Sequence, residues 1–190
     1  MSIGAQFRSL RDVVADTLRE QIVEGQLEPG RRLVERDLAE EYEVSRITLR
    51  EAFQQLAAEG MVELVPRKGA LVTELTPTGV DELFDVRVAL ESLAARRAAE
   101  RRTDADLKRL RDILDRSARA QQAGNQAAVA TLNTEFHLAI IETARNKMLF
   151  DVTEPVRGHL RRLFWMARQV DVSTLGTEHE QLYSAIAQGH

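Results

Sequence analysis

Residues 33–56 read LVERDLAEEYEVSRITLREAFQQL, and this stretch predicts two short amphipathic helices joined by a tight turn. Its apolar residues recur at three- and four-residue steps, the spacing that places side chains on one face of a helix. They are Leu33, Leu38, Ala39 and Tyr42 in the first helix and Leu49, Ala52, Phe53 and Leu56 in the second. Ser45 stands at the N-cap of the second helix, where its hydroxyl can accept a backbone N–H. The pattern is that of a helix-turn-helix, whose second helix enters the DNA major groove with its N-terminal side chains.

The first turns of the second helix carry Arg46, Thr48 and Arg50. A cation at this end of a helix opposes the helix dipole, so two arginines there weaken the helix and suit contact with an anion. For Arg50 the alternative is a salt bridge with Glu51 or Glu35. We therefore expect an anion-binding end on this helix.

A basic hairpin follows directly. Residues 61–65 and 70–73 read as two strands, and the turn between them contains Arg67 and Lys68. A charged turn in contact only with solvent is the simpler interpretation. Placed after a helix-turn-helix, the hairpin predicts the wing of a winged helix, with a basic tip that contacts phosphates or the minor groove.

The rest of the chain is predicted to be helical. After a short linker at residues 74–78, five helices are expected at about 79–101, 103–123, 126–144, 149–168 and 173–188. Short connections favour antiparallel neighbours, so these helices predict a bundle. The fold class is therefore mainly α, with an N-terminal winged helix-turn-helix over residues 1–75 and an antiparallel helical bundle over residues 76–190.

Composition narrows the functional classes. The 190 residues include no cysteine, which excludes disulfides and thiolate metal sites, and no apolar run is long enough for a membrane span. We expect a cytoplasmic protein. The net charge is −4, and residues 1–75 hold 10 Lys and Arg against 14 Asp and Glu. DNA binding would then depend on a local basic face. Its expected members are Arg36, Arg46, Arg50, Arg67 and Lys68.

Several motifs resemble one known family. The order ERDLAEEY, SR, TLREAFQQLAAEGMVE and RKGALV resembles the GntR-type winged-helix transcriptional regulators. The helical remainder resembles the FCD ligand-binding domain of their FadR subfamily, through RVALE at 87–91, NTEFH at 133–137 and EHEQL at 178–182. The resemblance covers essentially the whole chain. It implies a ligand-responsive regulator, expected to be a repressor, that binds a double-stranded DNA operator as a homodimer.

The resemblance also implies which residues touch DNA. They are Arg36, Ser45, Arg46, Thr48 and Arg50 in the helix-turn-helix, with Lys68 and Gly69 at the wing tip. An arginine in the major groove can bind guanine O6 and N7 together. Two residues depart from the family pattern. Glu43 stands where glycine is usual, and Ile47 replaces a small or polar residue, so that it either touches a thymine methyl group or packs within the protein.

A second site is implied in the helical part. Asn133 and His137 are four residues apart and share a helix face, and His179 lies on the last helix. With these three residues the resemblance implies a divalent metal site, for zinc, nickel or manganese. Arg87 is expected to bind a small carboxylate metabolite, the alternative being a surface pair with Glu91. The family pattern has a further histidine about 20 residues after His179, so we expect the bundle to be incomplete at its C-terminus.

Other functions fit less well. Within the same class, the protein could sense a metal, or its metal could be purely structural. A metalloenzyme in a helical bundle is a different class, but the sequence has no pair of Glu-x-x-His motifs. A helical interaction module would leave the basic wing and the arginines of the second helix unexplained.

Overall fold

The computed structural model describes residues 9–166 and 175–190, and its chain divides into two compact units, Met1–Thr76 and Pro77–His190. The N-terminal unit contains α1 (Leu10–Val23), β1 (Arg32–Leu33), α2 (Glu35–Glu41), α3 (Arg46–Ala58), β2 (Val62–Val65) and β3 (Gly69–Val72). The C-terminal unit contains α4 (Pro77–Arg101), α5 (Asp104–Gln122), α6 (Gln126–Thr143), α7 (Lys147–Met166) and α8 (Leu175–Gln188). The predicted mainly α fold with a winged N-terminal unit is confirmed.

The core of the N-terminal unit lies between α1 and α3. Leu18 and Ile22 from α1 and Phe53 and Leu56 from α3 are all fully buried. An ion pair at the edge of this core joins the same two helices, because Arg19 donates from Nε and Nη2 to the two carboxylate oxygens of Glu59, each at 2.7 Å. The pair is mostly buried and bidentate, so it fixes how α3 is oriented on α1.

The prediction for Leu33 was wrong. Leu33 belongs to β1, which pairs antiparallel with β3, and α2 begins only at Glu35. The sheet therefore has three strands in the order β1-β3-β2, one more than the predicted hairpin. Gly69 makes this pairing possible: its φ is +90°, and a Cβ there would lie 2.1 Å from the Leu33 carbonyl oxygen. Any side chain at position 69 would push β1 away from β3.

The turn between α2 and α3 has the geometry that its sequence position predicts. Glu43 adopts a left-handed φ of +54°, a conformation that glycine adopts without strain. The Ser45 hydroxyl then accepts from the Thr48 amide at 3.0 Å, which confirms Ser45 as the N-cap of α3.

The C-terminal unit packs five described helices around one core. Phe136 of α6 lies at its centre with Leu110 and Ile113 of α5, Ala98 of α4 and Ile186 of α8. Thr103 and Asp106 form a capping box that starts α5. Two boundaries differ from prediction, since α4 already begins at Pro77 and α7 at Lys147. The predicted cap of α8 at residues 173–174 lies outside the described residues.

Pro155 lies well inside α7. It has no N–H to donate to the preceding turn, so the helix continues with one backbone hydrogen bond fewer. A membrane span is not found: within residues 9–166 and 175–190, each helix is too short or too polar to cross a bilayer.

Candidate DNA-binding face and buried polar cluster

A groove on the N-terminal unit concentrates positive charge. It is formed by β1, the start of α2, the start of α3 and the tip of the β2–β3 hairpin. Six basic side chains line it, namely Arg32, Arg36, Arg46, Arg50, Arg67 and Lys68. The local basic face that DNA binding demands is thus present in a unit with more acidic than basic residues.

The cations of this groove differ in their partners. Within the described part of the chain, the side chains of Arg46, Arg67 and Lys68 make no hydrogen bond or ion pair. Arg50 donates to both carboxylate oxygens of Glu35, at 3.0 and 2.7 Å. The hydrogen bonds from Arg50 hold the pKa of Glu35 below its usual range. The alternative predicted for Arg50 is therefore present, yet 61% of its side chain remains exposed, within reach of a ligand in the groove.

The first turn of α3 is ordered by hydroxyl groups. The Ser45 and Thr48 hydroxyls lie 2.8 Å apart, and Ser45 also caps the helix. Ile47, between them in sequence, is 69% exposed. Packing within this unit thus does not explain Ile47, and its apolar surface faces outward beside the groove arginines.

The wing tip is held by a residue that the sequence did not single out. Arg32 donates from Nε to the backbone carbonyl of Lys68 at 2.9 Å, so β1 fixes the position of the basic turn. Arg67 in that turn has a left-handed φ of +61°. Gly69 was predicted to let the backbone approach DNA. In the structure its missing side chain also lets β3 lie close to the Leu33 backbone of the same sheet. No local signal could have identified Arg32, since the contact spans 36 residues.

A buried polar cluster lies in the C-terminal unit, where α4, α6 and α8 meet. The Nε2 atoms of His137 and His179 lie 3.2 Å apart. Asn133 is one helical turn before His137 and is 4% exposed. Both of its amide atoms are buried without a hydrogen-bond partner among the described residues. Unpaired buried amides are rare, so Asn133 is suited to a ligand or water that would satisfy it.

Glu91 and Arg87 of α4 orient the His137 ring. Glu91 Oε1 lies 3.2 Å from His137 Nδ1 and accepts from Arg87 Nε at 2.9 Å. Because a carboxylate accepts, the contact with Glu91 places a proton on Nδ1, so Nε2 is the nitrogen left to bind a ligand. Arg87 Nη2 reaches that nitrogen at 3.0 Å. The alternative, an Arg87–Glu91 pair, therefore exists, but the pair is mostly buried and forms part of the cluster.

The electrostatics of the cluster follow from burial. Burial and the neighbouring His137 and Arg87 lower the pKa of His179 to about 4, so its ring is neutral near pH 7. Burial alone would raise the pKa of Glu91, but the hydrogen bond and charge of His137 and the adjacent Arg87 more than offset this, and the pKa is lowered. A neutral imidazole is the form that binds a metal.

The donor set for a metal is small. Among the residues described, no three His, Cys, Asp or Glu side chains come together as a possible metal site. The predicted trio supplies two imidazoles and one amide, of which the structure brings His137 and His179 into direct contact. Two nitrogens bound to one ion at roughly 2.0–2.1 Å, with ordinary angles, would lie about 3–3.4 Å apart, so the observed pair fits an ion. Arg87 Nη2 would have to move aside, since it approaches the same nitrogen.

A cavity adjoins the cluster between α4, α6 and α7. Arg87, Glu91 and His137 form part of its wall, together with Thr134, Thr153 and Arg157. The remaining wall is apolar and consists of Leu90, Leu138, Ile141, Val156, Leu160 and Phe164. The guanidinium of Arg87 lies over the Phe164 ring at 5.0 Å, a cation–π contact. Arg161 and Arg162 of α7 are not part of the wall.

Both units match known protein families. The family model described as bacterial regulatory proteins, gntR family, matches residues 10–72, and the FCD domain model matches residues 82–190. The transcriptional regulator LutR of Bacillus subtilis is 31% identical, over 89% of this chain and 87% of its own. The galactonate operon transcriptional repressor of Escherichia coli is 27% identical, over 92% of this chain and 86% of its own. The solved structure of E. coli McbR/YncC matches with a TM-score of 0.80 and 27% identity, covering 96% of this chain and 88% of that one.

Proposed function

Because the chain belongs to the GntR family of bacterial regulators and carries an FCD domain, it is a DNA-binding transcriptional regulator, and we propose that a small carboxylate bound in its helical unit adjusts DNA binding. The observation that carries the proposal is the position of Arg87. Its guanidinium lies in the wall of a cavity and contacts both His137 and Glu91. A guanidinium beside an apolar cavity is well suited to bind a carboxylate.

For DNA recognition we propose a division of roles within the basic groove. Arg46 and Arg50 read guanine edges in the major groove, while Arg36, Arg67 and Lys68 bind phosphates. Arg46 has no competing partner among the described residues, whereas Arg50 first has to share or leave Glu35. Exposed Ile47 contacts a thymine methyl group, the one apolar feature of the major groove.

For the helical unit we propose a divalent metal, zinc, nickel or manganese, held by Asn133, His137 and His179. Three features support it: the two facing Nε2 atoms, the unpaired amide of Asn133, and Glu91, which fixes the His137 tautomer. When bound, the metal would supply a positive centre for a carboxylate oxygen. Arg87, released from His137 Nε2, would orient the same carboxylate.

The response to the ligand is a shift between conformations of the helical unit. Because Arg87 and Glu91 lie on α4, which directly follows the winged unit in sequence, a ligand that changes their contacts favours one arrangement of α4. We propose that the protein acts as a homodimer and a repressor on a two-fold operator. A second copy has an apolar surface to cover on α4, where Phe84 and Val88 are 38% and 61% exposed one turn apart.

The test combines elemental analysis with DNA binding. The purified protein is assayed for bound metal, and its affinity for operator DNA, selected from a random duplex pool, is measured by fluorescence anisotropy at two salt concentrations. We expect salt-sensitive specific binding, about one metal per chain, and a change in affinity when carboxylates are added. A response to metal removal without any response to acids would instead identify a metal sensor. Metal that affects folding alone would be structural.

A further inference from the structure

The cavity beside Arg87 contains two hydroxyl groups, and both are already engaged. Thr134 Oγ1 donates to the carbonyl of Ala130 at 3.2 Å. Thr153 Oγ1 donates to the carbonyl of Leu149 at 2.7 Å. Each hydroxyl thus already donates its one proton to a backbone carbonyl of its own helix. A ligand with several hydroxyl groups would find few donors on this wall.

The donors that remain belong to two arginines. Arg157 lines the cavity, and its Nε is buried without a partner among the described residues, while its Nη1 binds Glu154. Arg87 uses Nε and Nη2 on Glu91 and His137, and its Nη1 has no described partner. Both free groups are guanidinium N–H donors, which suit a carboxylate. The donors of the cavity therefore suit an anionic group, while its acceptors are the Glu91 carboxylate and the two threonine oxygens.

The apolar part of the wall determines which chemical groups the rest of the ligand can carry. Its six apolar side chains offer no hydrogen bond, so a polar group placed against them would lose its water without compensation.

We infer that the effector is an aliphatic monocarboxylate, whose single carboxylate binds the arginine donors and whose unsubstituted hydrocarbon chain lies on the apolar wall. This inference rests on the proposed carboxylate-responsive function and specifies its ligand class. It disfavours sugar acids, because the two threonine oxygens and the Glu91 carboxylate can accept from only some of their hydroxyl groups and the apolar wall leaves the others unpaired. It also disfavours dicarboxylates, because a second carboxylate would have to compete with Glu154 for Arg157.

Three acids with the same six-carbon chain test the inference: hexanoate, adipate and gluconate. Their affinities for the full chain are measured by calorimetry, with butanoate added to test chain length. We expect hexanoate to bind at least tenfold more tightly than adipate or gluconate. From butanoate to hexanoate, affinity should rise about fourfold per methylene group. Gluconate or adipate binding as tightly as hexanoate would overturn the inference, as would affinity independent of chain length.

The outcomes separate this inference from the function on which it rests. If adipate or gluconate binds and changes DNA affinity, the carboxylate-responsive function stands and the aliphatic class is wrong. If none of the four acids binds while operator binding is intact, both are wrong.

Matched variants locate the ligand. Val156→Thr places a hydroxyl on the cavity wall, and Val152→Thr makes the same change one turn earlier on α7, at a 50% exposed position outside the wall. We expect Val156→Thr to weaken hexanoate binding severalfold and Val152→Thr to leave it unchanged, both with unaltered operator binding. Equal affinities for hexanoate in the two variants would show that the chain does not lie on this wall.

Discussion

The two units use the same ion pair, Arg with Glu, in opposite surroundings. Arg50 binds Glu35 in the basic groove with 61% of its side chain exposed. Arg87 binds Glu91 in the buried cluster with 14% exposed. Water screens the first pair, so Arg50 can exchange a carboxylate for a phosphate or a base at low cost. The second pair is desolvated and also holds His137, so breaking it leaves buried charge without a partner.

This difference teaches what each site can recognise. The groove presents six basic side chains, of which Arg46, Arg67 and Lys68 make no hydrogen bond or ion pair with the described residues, and a large polyanion can approach all six together. The cluster presents groups that already satisfy one another. Only a ligand small enough to enter, and able to replace the contacts it displaces, can act there. On the proposed function, the first site recognises an extended polyanion, and the second recognises a few atoms of a small ligand.

The largest expected effect concerns the exposed site. Arg46→Ala should weaken operator binding by roughly 5–150-fold, because a bidentate contact to guanine is worth about 1–3 kcal/mol. Fluorescence anisotropy with the selected operator measures the loss. Arg96→Ala, at an exposed position of α4, removes the same charge elsewhere and should change affinity little. Equal losses in both variants would mean that only net charge matters in the groove.

The buried site is tested by an isosteric change. Glu91→Gln should weaken zinc binding about 10–100-fold, because the amide no longer fixes the His137 tautomer. Competition with a chromogenic chelator gives the affinity. Glu100→Gln on the same helix, where Glu100 forms an exposed pair with Arg97, is the control and should bind zinc normally. Unchanged zinc affinity in Glu91→Gln would place the metal away from His137.

A smaller effect tests the apolar contact of the groove. Replacing single thymines of the operator by deoxyuridine removes only a methyl group. At one position the loss should be about fourfold for the native protein, the value of one buried methyl group. The same replacement should have no effect on Ile47→Ala. If the variant and the native protein are equally sensitive, Ile47 does not read that methyl group.

The smallest effect concerns the turn that positions α3. Glu43→Gly should raise the free energy of unfolding by about 0.5 kcal/mol, since release of left-handed strain slightly exceeds the added entropy of the unfolded chain. Urea denaturation of the full chain measures it. Glu41→Gly, in the last turn of α2, should instead destabilise by up to about 1 kcal/mol. Destabilisation by both changes would show that the Glu43 conformation carries no strain.

Local periodicity explains what the sequence could predict. The cap at Ser45, the exposed arginines of α3 and the shared face of Asn133 and His137 all follow from spacings of three or four residues. Each of these features depends on the backbone geometry of a single helix, so the spacing of residues in the sequence is enough to predict it. The predicted exposure of α3's N-terminal arginines is confirmed for the same reason.

The features that the sequence could not predict depend on contacts between distant elements. Leu33 is extended because β3 pairs with it, and two residues contain no strand periodicity of their own. Arg32 reaches Lys68, and His137 meets His179 across 42 residues. The sequence likewise does not show that Thr134 and Thr153 line one cavity, because they lie on different helices that meet only in the folded unit. The orienting role of Glu91 likewise requires α4 and α6 to pack together.

The tight fit at Gly69 bears on how such regulators can diversify. Position 69 admits a single amino acid, because any side chain would meet the Leu33 carbonyl. The neighbouring side chains of Arg67 and Lys68 project from the turn and make no contact with the described chain. One sterically fixed point therefore anchors the hairpin, while the side chains of its tip can change among residues that tolerate the left-handed φ of Arg67. The wing behaves as an exchangeable module, in which new DNA preferences can arise without refolding the sheet.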